Sequence, residues 1–325
     1  MILLAAALCL SQEVVAVSPY EALLRRYAAG DRTQAVIELL SWPESVLHDR
    51  VREGPGGVPL QVAMLLHTDA AEQARLAGSD SGEKAAKVHD SLALRLARRA
   101  LEQTSQGAFV RRWYGVVAAL AHFEMRWDAA LAWTEQGLAE FPEATELLMV
   151  RAAIYEAEAA RLAPADPERW GHLGRARAAL EKALAADPGL SEARLRLGRV
   201  SWRMGQPREA RKDFEAALAA DERGSVAFLA DLFVGRLEED AGQLEAATRR
   251  YKAALALGSG SQAARLALSH ARHGRGDVAG AQRELDSALK QDVLPGPSDP
   301  FRTYALGASA DALARLAALR AEALQ

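Results

Sequence analysis

Cysteine is nearly missing from this sequence: the single thiol among 325 residues is Cys9, so neither an intrachain disulfide nor a thiolate metal cluster can form. Aromatic residues make up only 6%. Alanine supplies much of the apolar half, which favours closely packed helices over a β-sheet core. Excess positive charge is also lacking. A formal net charge of -3 leaves nothing to condense on a polyphosphate backbone or an anionic membrane face, so nucleic acid is not expected as a partner. Beyond the leader no stretch approaches the roughly 18 uninterrupted apolar residues of a membrane helix, and no membrane span is expected. Phosphate-binding loops, nucleophile elbows and the His-Glu-x-x-His zinc motif are missing. Gly54-Pro55-Gly56-Gly57 has no flanking strand to make it a dinucleotide turn. The expectation is a protein that is not an enzyme and takes no cofactor.

The N-terminus is the one strongly apolar run. Ile2–Leu10 is too short to cross a bilayer but fits the hydrophobic region of a secretory signal, with Val14 and Ala16 at small-residue cleavage positions. Basic residues do not precede it, and Leu8 stands where a lipoprotein signal ahead of Cys9 needs a small side chain. Residues 1–17 are read as a signal peptide and the protein as periplasmic or otherwise exported. The alternative is a cytoplasmic protein whose first helix is apolar.

What the chain does contain is a repeat. Gly171, Ala176, Leu180 and Ala183 have offsets of five, nine and twelve from the glycine, and Gly205, Ala210, Phe214 and Ala217 repeat them. So do Gly242, Ala247, Tyr251, Ala254 and Gly276, Ala281, Leu285, Ala288. Successive glycines lie 34, 37 and 34 residues apart, and the last three follow a large–small pair: Leu197-Gly198, Val234-Gly235 and Leu268-Ser269. The pattern reads as helix, tight turn, helix. The glycine takes a left-handed conformation as the first helix ends, and small residues let the two helices approach around one large side chain.

These residues resemble the tetratricopeptide-repeat family, whose signature is a 34-residue helix–turn–helix. Ala118, Ala130, Leu138 and Pro142 look like a degenerate earlier copy in which Met125 replaces the turn glycine and Gly137 the second alanine. Gly30, Ala35 and Leu39 look like a weaker one. About a dozen extra residues around Ala163–His172 are expected in a loop or as an extension of the first helix of their repeat. The expected fold is all-α: a right-handed superhelix of antiparallel helix pairs, an α-solenoid, with extra N-terminal helices and a C-terminal capping helix. The expected domains are an N-terminal helical region at 18–106, the array at 107–293, and a linker with capping helix at 294–325. A helix from about Glu83 to Gln103 carries Leu92, Leu96, Ala100 and Leu101 along one apolar stripe and turns Arg95, Arg98 and Arg99 to other faces, a solvated basic side. Phe109, Trp113, Tyr114, Phe123, Trp127 and Trp133 are expected mostly as core where the array begins.

In this family the first helices of successive repeats line a concave face that holds peptides, so the resemblance implies a protein-binding scaffold. Carried over residue by residue, the groove positions are Arg199, Arg236 and His270, one per repeat. Trp202, Arg203, Glu239 and His273 lie one turn further on, and Arg196 joins them. A row of arginines suits the carboxylates of an acidic partner segment. His270 and His273 share a face at i, i+3, but no third ligand is identifiable and no metal is expected. The run Glu238-Glu239-Asp240 is read as solvated helix surface. Two other functions remain open from the residues alone: an enzymatic or ligand-binding region at 18–106 recruited by the repeats, and a self-associating array, a homo-oligomer packed through its alanine-rich outer faces.

Overall fold

Three of the four recurring glycines stand where a first helix must stop. Gly205, Gly242 and Gly276 have φ of 69°, 75° and 82°, in the left-handed region that side chains disfavour. There the chain reverses through one hydrogen-bond pattern. In the turn at Gly205 the glycine N–H donates to Trp202 O at 2.9 Å and the Gln206 N–H to Ser201 O at 3.0 Å, so the last carbonyls of the helix are satisfied. The turns at Gly242 and Gly276 repeat both bonds.

A computed structural model describes residues 17–221, 224–258, 260–290, 300–305 and 309–325; the leader, Cys9 included, lies outside the described residues. Among these the chain is helical, with no strand. It divides into two compact units, Met1–Val110 with Ala318–Gln325, and Arg111–Ala317.

The first unit contains α1 (Pro19–Ala28), α2 (Arg32–Leu40), α3 (Glu44–Glu53), α4 (Leu60–Leu76) and α5 (Asp80–Leu101). Helix α5 buries Leu92, Leu96 and Ala100 as its periodicity requires. Arg99 is not on a solvated face, however: its Nη1 donates to the Val51 carbonyl of α3 at 2.9 Å. Tyr27 donates to Asp69 at 2.6 Å, and Arg320 pairs with the same carboxylate.

The second unit is an α-solenoid of antiparallel pairs. After α6 (Gly107–Phe123) and α7 (Trp127–Glu140) come α8 (Thr145–Arg161) with α9 (Pro167–Ala186), and α10 (Ser191–Arg203) with α11 (Pro207–Ala220). Then follow α12 (Ser225–Asp240) with α13 (Leu244–Leu257), and α14 (Gln262–Gly274) with α15 (Val278–Lys290). The repeated alanines Ala176, Ala183, Ala210, Ala217, Ala247 and Ala254 are fully buried around Leu180, Phe214 and Tyr251. In two of the large–small pairs the small residue is a steric requirement. A Cβ on Gly198 would stand 2.7 Å from the Phe214 ring, and one on Gly235 2.6 Å from Tyr251.

Three local expectations change. Gly171 is not at a turn: Asp166 caps α9 by accepting from the Glu168 N–H at 2.8 Å and Pro167 opens the helix, which then runs straight through Gly171. The extra residues lengthen both helices of that repeat, the first to 17 residues against 13 in α10, as expected, and the second to 20 against 14 in α11. Of the aromatic group, Trp113, Tyr114 and Trp133 are buried, with Trp113 and Trp133 edge-to-face at 5.4 Å, but Phe123 is exposed.

Met125 occupies the turn position of the degenerate copy with φ 56°, and the Met125 and Arg126 N–H groups make the same two turn bonds. Its side chain is 76% exposed, so little packing opposes a change. Met125→Gly is expected to stabilise the second unit by about 0.5 kcal/mol, the relief of left-handed strain slightly exceeding the added chain entropy of glycine. A higher urea midpoint at unchanged slope is the readout.

Candidate functional site

Helix α10 presents its charged face to α8. The reason is local: Leu195, Gly198 and Val200 face the core, so Arg196, Arg199 and Arg203 recur at three- and four-residue spacing on the adjoining face. All three reach Glu156 of α8. Arg196 Nη1 donates to Glu156 Oε1 at 3.3 Å, and Arg199 Nη1 lies 3.7 Å from Oε2. Arg203 Nη1 donates to the Glu156 backbone carbonyl at 3.1 Å. Arg196 also donates through Nε to Glu192 at 2.9 Å. Glu156 and Arg196 are 4% exposed each.

The remaining walls are aromatic. Phe233 of α12 is buried, with Phe214 at 5.4 Å behind it and half-buried Trp202 at 6.4 Å beside it. Into this groove comes a short helix from later in the chain, α16 (Pro300–Ala305). Tyr304 is 6% exposed. Its ring stands 5.7 Å from Phe233, with the Arg196 and Arg199 guanidinium groups 4.5 and 4.9 Å from its centroid, a doubled cation–π contact. Its hydroxyl donates to Glu156 Oε2 at 3.4 Å. Phe301, on the same face of α16, lies edge-on to Phe233 at 6.5 Å.

Burial and charge act in opposition here. Burial disfavours the charge on Arg196, but Glu192, Tyr304 and Glu156 outweigh it and hold the guanidinium above its ordinary range. Burial raises the Tyr304 phenol, helped by Glu156 and opposed by Arg199 and Arg196, so it remains a hydrogen-bond donor. Burial lowers Arg203, and neighbouring Arg199 adds to that. His122 of α6 is held down to about 4 by burial and then by the charge of Arg196, so it is neutral near neutrality.

Seven of the eight expected groove residues therefore fall into two groups rather than one column, and His273 joins neither. Arg196, Arg199, Trp202 and Arg203 gather around Glu156 and Tyr304. Arg236 instead pairs with Glu239 at 3.4 Å and Asp240 at 3.1 Å, and His270 Nδ1 meets the other Glu239 oxygen. His273 is exposed at the end of α14. Glu238 and Glu239 are not solvated surface: both are buried, Glu238 accepting from Arg211 at 3.3 Å and Glu239 from the Tyr251 hydroxyl at 2.7 Å. Among the described residues no three histidine, cysteine or carboxylate side chains gather as a metal site.

Glu156, Phe233 and Tyr304 are the site residues that sequence reasoning missed. Glu156 follows Tyr155 on the first helix of its own repeat, and a comparison of acidic and basic groove positions between neighbouring repeats would have raised it. Tyr304 had no such signal.

Among solved structures the chain is similar to PilW, described as a widely conserved type IV pilus biogenesis factor. Identity is 22% over 66% of this chain and 90% of that one, at a TM-score of 0.48. PilF of Pseudomonas aeruginosa is 13% identical over 64% and 88%, at 0.49. A thermophilic repeat protein of Thermus thermophilus, TTC0263, is 19% identical over 64% and 98%, at 0.45. Likenesses this distant say nothing about partners. No curated protein matches the chain. Residues 171–230 match the sequence profile of the tetratricopeptide repeat, from within α9 through α10 and α11 into the start of α12. Residues 171–230 are thus a tetratricopeptide-repeat segment, and the turn glycines, buried alanines and stacked helix pairs carry the same architecture beyond it.

Proposed function

We propose that the chain is a non-catalytic scaffold that holds a segment of a partner protein in the groove formed by α8, α10 and α12. The observation that carries this reading is the convergence of Arg196, Arg199, Trp202 and Phe233 on one line of contact. Cationic and aromatic side chains dominate the energetics of protein interfaces when they stand together in a desolvated pocket. An acidic tail is the partner that a bare arginine row would favour. Here Glu156 already answers Arg196 and Arg199, so charge alone supports that partner weakly and shape and aromatic contact carry more of the argument.

Truncating Arg199 and Trp202 tests the proposal, because both are partly exposed and neither is the buried member of the ion pair. Wild type and Arg199→Ala/Trp202→Ala, matched for helicity and melting temperature, serve as bait in an extract of the source cell, with captured proteins quantified by mass spectrometry. A direct partner is expected to fall at least about tenfold with the variant, as for the loss of about 1.4 kcal/mol from a contact of this kind. Equal capture by both would remove the groove as the site.

A further inference from the structure

We infer that the groove recognises a short helix carrying two aromatic side chains three residues apart, the second a tyrosine, and that α16 is its resident occupant, which a partner segment must displace. The inference rests on the groove reading above and specifies what the groove accepts.

Helix α16 answers Phe233, Arg196, Arg199 and Glu156 of the groove. Phe301 and Tyr304 are at i, i+3, so a helix points both to one side. Tyr304 satisfies three separate features of the pocket: its ring fills the space against Phe233, its face receives the Arg196 and Arg199 guanidinium groups, and its hydroxyl reaches Glu156. Phenylalanine in its place would leave Glu156 without that donor, and a carboxylate would lie against Glu156. Pro300 presets the backbone at the first helical position and rests beside the loop after α13, within 3.7 Å of a Cβ placed at Gly258. Helix α16 packs on α12, the first helix of a repeat and a wall of the groove. Its placement is therefore that of a ligand on a receptor surface, although 148 residues separate Tyr304 from Glu156 in the chain.

Covalent linkage gives this occupant an effective concentration on the order of millimolar. A partner peptide of the same chemistry binds only when α16 has left, and its apparent affinity is reduced by the fraction of time the groove is vacant. Removing the two aromatic side chains of α16 should lift that reduction without touching the walls.

The experiment uses the full-length chain and a fluorescent peptide of residues 299–306. Its anisotropy is followed on wild type, on Phe301→Ala/Tyr304→Ala, and on that double variant carrying Arg199→Ala/Trp202→Ala as well. We expect the double variant to bind the peptide at least about tenfold more tightly than wild type. The quadruple variant, and a peptide with both aromatics replaced by alanine, should lose binding. Circular dichroism establishes that each variant is folded; if the double variant is not, Phe301→Ala alone, which removes a side chain that is only partly buried, is expected to show an intermediate gain. Equal or absent binding by wild type and double variant, while partner capture still depends on Arg199 and Trp202, would overturn the inference and leave the scaffold reading standing. Peptide binding as expected, with partner capture indifferent to every groove variant, would leave α16 as the groove's occupant and overturn the scaffold reading with its displacement by a partner.

Discussion

Replacing Glu156 with alanine is expected to cost the second unit about 3 kcal/mol, although Glu156 contributes little apolar area. Its carboxylate is the shared acceptor for Arg196, Arg199 and Tyr304. Removal leaves Arg196, 4% exposed, with Glu192 as its remaining carboxylate partner, and a buried guanidinium that has lost a partner carries an uncompensated desolvation penalty of this size. The converse variant separates charge from packing. Glu156→Leu combined with Arg196→Met removes both charges at similar volume and is expected to recover most of the loss, because a buried ion pair is roughly balanced by its own desolvation. Urea unfolding monitored by circular dichroism gives both numbers. An alanine variant within about 0.5 kcal/mol of wild type would mean that water, not Glu156, solvates Arg196.

The second large effect is an acid sensitivity of the first unit. His67 and His89 are buried and share a hydrogen bond, Nδ1 to Nδ1 at 2.9 Å, while the Tyr20 hydroxyl lies 3.0 Å from His67 Nε2. Only one of the two facing nitrogens can carry a proton, so charging one ring buries a cation and fixes the other as acceptor, and charging both also sets N–H against N–H. Burial holds His89 down to about 4. His67 is lowered well below its ordinary value by burial and then by His89. In the unfolded chain both rings titrate near 6.5. Between pH 6.5 and about 4 the unfolded state therefore binds more protons than the folded state, and stability rises with pH across that window. It is fully present above 6.5 and is lost as pH falls toward 4, His89 alone accounting for about 3 kcal/mol.

Trp42 reports this unit, its ring being 6.3 Å from Tyr20. Its signal can be isolated by difference against Trp42→Phe. The urea midpoint is expected to fall between about pH 7 and about pH 5, and to fall less in His89→Gln. The same slope in that variant would place the acid sensitivity elsewhere.

The chain's own periodicity makes the repeats legible in the sequence. Turn glycine, spaced alanines and the bulky residue between them are separated by fewer than fifteen residues, and each answers to local geometry: a left-handed backbone at Gly205, Cβ-to-ring clearance at Gly198, a groove filled by Phe214. The same logic located Arg196, Arg199, Trp202 and Arg203 on one helix. It went wrong where a local signal was overridden by its neighbours: Asp166 and Pro167 start α9 early enough to carry Gly171 into the helix, and packing by α13 buries Glu239 under Tyr251.

Composition and spacing alone, then, determine that this is a helical repeat protein, because helix, turn and close packing are set by residues near one another in the chain. What occupies the groove was decided by the tertiary structure alone. A polar position on an amphipathic helix is free, by its local pattern, to meet water, a carboxylate or another segment of chain, and only the fold brings Glu156, Arg196, Phe233 and Tyr304 within reach of one another.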